Sequence, residues 1–244
     1  MRPKSKKILL RAFYILLLFF PSALLAHYII FPQQTRSILV DYSDFKKNGR
    51  LYYNQNTPQS RIDSLKSLIE KAGIRVALFA GKKSSDSKII YCETEVDFKR
   101  FGSADPVPAV TLTKLGAHIA LSRDAADIDI IAHEIVHAEL YERVGFYNWS
   151  FKIPMWFKQG LAMQCDYRNY YSEDTLQVRS DNYKNMPDVK SMSDAQFYEG
   201  STEQIMLNYM VAKHELKSWY TKEKFDTFVD AMNDGKNFEE AYGR

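Results

Sequence analysis

Two histidines four residues apart, with a glutamate directly after the first, constrain this chain more than any other feature. The stretch His133-Glu-Ile-Val-His137 lies in an amphipathic run that Asp124 and Asp127 can cap and that Gly145 is placed to stop after Val144. On a helix, residues at this spacing share one face, so both imidazoles project the same way. Two neutral histidines so placed can bind one metal ion, and tetrahedral Zn²⁺ suits such ligands. Glu134 sits beside the first of them, where its carboxylate can take a proton from a water that the metal activates. That set of parts performs peptide-bond hydrolysis without a covalent intermediate. The plain alternative is a pair of surface histidines making ordinary hydrogen bonds.

A catalytic zinc site needs a third protein ligand and an open fourth position. A third histidine further along the same helix is excluded, because Leu140 and Arg143 stand where that longer motif has glycine and histidine. A second segment, Ile153-Pro-Met-Trp-Phe-Lys-Gln-Gly-Leu-Ala162, supplies a candidate. Taken together, the two segments resemble the gluzincin (thermolysin-like, peptidase MA clan) metallopeptidases. In bacterial members of that clan the second segment often reads Pro-x-Trp-x-x-Glu-Gly-x-Ala, and its glutamate is the third zinc ligand. The resemblance covers about half the chain, from Asp127 to Gly243, and only these two short segments are specific. It implies His133 and His137 as zinc ligands, Glu134 as general base, and position 159 as the third ligand.

Position 159 departs from the pattern, because it is Gln159. An amide oxygen can face a metal, but it is neutral and a weaker donor for zinc. Three explanations stand open. Gln159 ligates zinc in an active variant. Asp166 substitutes for it, or less directly Glu139, Glu142 or Glu173. Or the chain is a degenerate, non-catalytic peptidase-like domain that binds a protein or envelope partner through the old cleft. For an oxyanion stabiliser the resemblance points to the region of Tyr198, Tyr209 and His214, with Tyr209 the candidate we retain. The run Ala117–Leu121 is the expected edge strand for an extended substrate, with His118 exposed on it.

The rest of the chain gives the setting. Residues 1–32 begin with Arg2, Lys4, Lys6 and Lys7 and continue as an apolar stretch from Ala12 to Phe31. Its length suits a signal anchor with a cytoplasmic N-terminus. A cleaved signal peptide fits less well, because Leu24 would occupy the −3 position before Ala26. Either reading exports the remainder, and the resemblance makes that compartment periplasmic. Residues 33–56 read as a tether and lead-in. Residues 57–244 read as one zincin-like domain, with an α/β part over 57–145 and a helical part over 146–244.

Within the α/β part, Ser60 and Asp63 open a helix that Gly73 ends. Strands are expected over Arg75–Ala80, Lys88–Glu93, Ala109–Thr113 and Ala117–Ser122, with the loop Gly81-Lys-Lys-Ser-Ser-Asp between the first two. Pro154 starts the next helix, and Trp156 and Phe157 on it read as core. Residues 166–200 read as loop with short helices. Helices follow near 202–219 and 221–233, then a short one from Asn237 after a break at Gly235. The expected fold is therefore α+β: a small mixed sheet packed on the motif helix, a mostly helical C-terminal lobe, and an N-terminal transmembrane helix. A net charge of +3 with scattered basic residues gives nucleic acid little to bind, so the expected partners are a peptide or protein substrate and the membrane. Cys92 and Cys165 can pair after export or remain buried thiols.

Overall fold

The computed structural model describes residues 3–81 and 85–243; for residues 3–12, 15, 16 and 18 it describes only the backbone. Five strands form one sheet in the order β1-β2-β3-β5-β4. They are β1 (Lys46–Asn48), β2 (Leu51–Tyr53), β3 (Lys88–Cys92), β4 (Ala109–Leu112) and β5 (His118–Ser122). β2, β3 and β5 run parallel, while β1 and β4 close the two edges antiparallel.

Period-two alternation divides the central strands between two cores. Ile89 and Tyr91 of β3, with Ile119 and Leu121 of β5, face the larger core. Ile90, Cys92 and Ala120 face a smaller one. Burial on both faces is why these strands read as continuous apolar runs. Helices α3 (Gln59–Ala80) and α5 (Ile128–Phe151) contribute to the larger core through Leu65, Ile69, Ile131 and Ile135. Phe98 and Phe101 of α4 (Glu95–Phe101) cover the smaller one.

The expected strand over Arg75–Ala80 is instead the end of α3, which runs through Gly73 without a break. Val76 and Ala80 are buried on the α3 face that also holds Ile62, Leu65, Ile69 and Ala72, so a continuing helical period outweighed local β propensity. Pro58 takes the N-cap place, and Ser60 lies inside the helix. Residues 82–84 of the expected loop lie outside the described residues.

Residues 33–56, read as a tether, are docked instead. They contribute β1, β2 and most of α2 (Pro32–Ile38), and they add Val40, Leu51 and Tyr52 to the buried set. Ser37 donates to the Phe101 carbonyl at 2.7 Å, and Lys88 Nζ donates to the Ile38 carbonyl at 2.8 Å.

The N-terminal helix α1 spans Pro3–Ile30, with Pro21 inside it. Among the described residues, no helix is long and apolar enough to cross a membrane, so the expected transmembrane helix is not supported. The last turns of α1 are tied to α2 by polar contacts at positions counted within the apolar run. His27 Nδ1 lies 2.7 Å from Thr35 Oγ1, and Arg36 donates to the Tyr28 hydroxyl at 3.0 Å. The basic side chains at residues 2–11 lie outside the described residues.

His118 was expected at the surface and is buried. Gln34 of α2 donates to its Nδ1 at 3.3 Å and accepts from the Lys114 N–H at 3.0 Å, which pins the β4–β5 turn. Burial, helped by the Lys88 charge, pushes the His118 imidazole down to about 4. The unfolded chain takes up a proton near the ordinary value of about 6.5, and the folded chain does not. Stability from neutral His118 is thus complete above about pH 6.5 and is lost as the pH falls toward 4, by up to about 3 kcal/mol. Denaturant unfolding of His118→Gln is expected to show a smaller loss between about pH 7.5 and pH 4.5 than the wild type shows. Equal losses would clear His118 as the cause.

The C-terminal lobe holds α6 (Met155–Met163), α7 (Glu173–Arg179), the single turn α8 (Asp194–Phe197), α9 (Thr202–Trp219), α10 (Lys222–Asn233) and α11 (Phe238–Tyr242). Trp156 and Phe157 pack with Trp219, Phe228, Phe238 and Tyr242 in one aromatic cluster, as core residues. Cys92 and Cys165 are both buried and unpaired.

Candidate metal centre

Asp127, rather than Asp124, caps α5, accepting from the N–H groups of Asp129 and Ile130 at 2.7 and 3.3 Å. Asp124 lies in a short 3₁₀ turn ahead of it. The helix bends at Gly145, whose φ of 74° a side chain would resist. The chain then continues helically instead of stopping. The bend returns Trp149 to lie edge-on against His137, with ring centroids 5.8 Å apart.

Position 159 is placed by its neighbour Gly160. A Cβ at Gly160 would come within 2.4 Å of the Ala212 carbonyl oxygen on α9, so only glycine lets α6 approach that closely. The result is a compact donor set. His133 Nε2 and His137 Nε2 lie 3.1 Å apart, and Gln159 Oε1 lies 3.1 Å from the first and 3.2 Å from the second.

Burial disfavours the charged form of both rings, pushing His133 down to about 3 and His137 well below its ordinary value. Neutral imidazole nitrogens and an amide oxygen are metal donors. Around a tetrahedral zinc with bonds of about 2.0–2.1 Å, donors stand roughly 3.3–3.4 Å apart. The triangle is within a few tenths of an ångström of that, so the residues fit the ion. Among the described residues, no group of three His, Cys, Asp or Glu side chains is placed to hold a metal. One feature weakens the fit: Nδ1 of His133 and Nδ1 of His137 are both buried without a partner. Neither ring is braced by an outer acceptor, and such bracing typically contributes about 10–100-fold in metal affinity.

The other third-ligand candidates are committed elsewhere. Asp166 is fully buried and forked onto Arg168, whose Nε donates to Oδ1 at 2.9 Å. Glu139 accepts from the Ser85 N–H at 2.9 Å and from Arg143 at 2.7 Å. Glu142 is exposed. Glu173 pairs with His214 at 2.6 Å, which also removes His214 from the oxyanion candidates.

Glu134 is buried next to the triangle. Desolvation pushes its carboxyl up to about 7, against the opposing pull of the Thr111 hydroxyl and the Arg168 charge. Thr111 donates to Glu134 Oε2 at 2.6 Å. Thr111 belongs to β4, and β4 rather than β5 is the free edge of the sheet beside the site. The expectation for Ala117–Leu121 therefore moves one strand outward. A cavity of about 730 Å³ joins these parts, its wall including Val110, Thr111, Lys158, Tyr198 and Tyr209 beside the two histidines, Glu134 and Gln159.

Tyr209, the retained candidate, and Tyr198 both reach the cavity. Tyr198 accepts the Gln159 amide N–H at 2.7 Å. Burial pushes both phenols up, Tyr198 to about 12 and Tyr209 well above its ordinary value, so both stay protonated. Sequence reasoning missed Thr111 and the charge of Arg168. Neither carries a motif, and each reaches the site from an element whose placement only folding sets. No family model matches the chain, and no curated protein or solved structure matches it either.

Proposed function

We propose that this chain is a zinc-dependent metallopeptidase of the gluzincin kind, in which an amide replaces the usual third carboxylate. The observation that carries this reading is the triangle of neutral donors, His133, His137 and Gln159, with a buried carboxylate beside it. Zinc held there would supply a Lewis acid that polarises the scissile carbonyl and acidifies a water in the cleft. Thr111 holds Oε2 of Glu134, leaving Oε1 to take the water's proton and return it to the departing amine. Tyr198 and Tyr209 line the same cavity and offer hydroxyl donors for the developing oxyanion. The β4 edge is the strand against which an extended peptide would pair.

Export of the domain and membrane association through α1 belong to the same proposal. Phe19, Phe20, Ile29 and Ile30 of α1 are each more than half exposed, and lipid would shelter them. Cofractionation of the full chain with membranes tests the attachment; recovery of the chain only in the soluble fraction would remove it.

A second reading has its own support. Gln159 and the two unbraced Nδ1 atoms also suit a degenerate domain that binds a protein or envelope partner without hydrolysis. Metal content of the full-length protein separates the two. About one zinc per chain, lost in His133→Ala, is the expected result for a single three-donor site. A wild type that stays metal-free after reconstitution at neutral pH would overturn the peptidase reading and favour the binding domain.

A further inference from the structure

A carboxylate can turn either oxygen to a metal, but an amide has one face that donates electrons and one that carries protons. Used as a ligand, Gln159 needs something to hold its NH₂ away from the histidines. Its nitrogen has two protons, and two acceptors stand opposite them. The Tyr198 hydroxyl oxygen lies 2.7 Å away and Met155 Sδ lies 3.7 Å away, one turn earlier on α6. Turning the amide over would set its oxygen against the thioether sulfur, which has no proton to give. Tyr198 is itself steadied by ring contacts with Phe197 and Tyr209, at centroid distances of 5.4 and 6.4 Å.

We infer that Tyr198 is a positioning residue for the third donor: its hydroxyl oxygen captures the Gln159 amide N–H and so holds Oε1 toward His133 and His137. The inference rests on the zinc reading above. It assigns Tyr198 a role that a glutamate at position 159 would not require, because either carboxylate oxygen can face the metal. Gln159 is then a ligand with its own outer support, and the site is built around an amide.

The test is a double-mutant cycle on zinc affinity in the full chain, read by competition with a chromophoric chelator. Tyr198→Phe keeps the ring, and with it the packing, while removing the acceptor. It is expected to weaken zinc binding by about 10- to 100-fold in the Gln159 chain. In the Gln159→Glu background the same Tyr198→Phe change is expected to cost at least about threefold less than in the Gln159 chain, because Tyr198 there donates to a carboxylate that needs no orienting. No loss in the Gln159 chain, or an equal loss in both backgrounds, would overturn the positioning role while leaving the zinc site standing. A wild type that binds no zinc would instead overturn the zinc reading, and this inference with it.

Discussion

Glu134→Gln is expected to cut peptide hydrolysis by about 10²–10⁴-fold, the usual worth of a positioned general base, while leaving about one zinc per chain in place. The substitution is nearly isosteric and removes basicity rather than volume. Thr111, which donates to Oε2 at 2.6 Å, retains an acceptor in the amide oxygen, so the side chain keeps its orientation. Glu134 does not belong to the donor triangle, and both histidines and Gln159 are untouched. Activity and metal content should therefore separate cleanly. Single-turnover hydrolysis of a proven peptide substrate, measured beside zinc stoichiometry, checks this. Unchanged hydrolysis with zinc bound would remove Glu134 from the mechanism.

Gln159→Glu should move affinity and turnover in opposite directions. An anionic oxygen is the better zinc donor, so affinity is expected to rise by about tenfold or more, roughly 1.4 kcal/mol for each tenfold step. Turnover is expected to fall, for two reasons. The added negative charge makes the site less electrophilic. In addition, Tyr198 now accepts from the Gln159 amide at 2.7 Å, which leaves its own proton free, whereas beside a carboxylate it would donate that proton to position 159. Isothermal titration with zinc and steady-state kinetics on one substrate read the two effects. A gain of hydrolysis by a wild type that lacked it would mean that the native site is degenerate and works by binding.

Periodicity carried the reading of this chain wherever one period ran without competition. The i, i+4 histidines, the Asp127 cap and the later helices Thr202–Trp219 and Lys222–Asn233 need only local rules, and they lie where those rules put them. The strands Lys88–Cys92 and His118–Ser122 were legible for the same reason, because burial on both faces leaves an unbroken apolar run. Arg75–Ala80 went the other way. Its residues suit a strand locally, but they extend the buried face of a helix that began at Gln59, and the packing of that face against α5 decides the matter.

The sequence by itself determined the chemistry on offer: two imidazoles and a carboxylate on one helical turn, and an amide where the resemblance expects a carboxylate. Those follow from residue identity and helical pitch, which are local. Only the tertiary structure decided how the parts are held. Gly160 against Ala212 draws position 159 to the histidines, and the order of the strands puts Thr111 of β4, not β5, against Glu134. Tyr198, far along the chain, closes on the Gln159 amide. Each of these contacts joins residues distant in sequence, and each depends on packing between elements, which no spacing along the chain encodes.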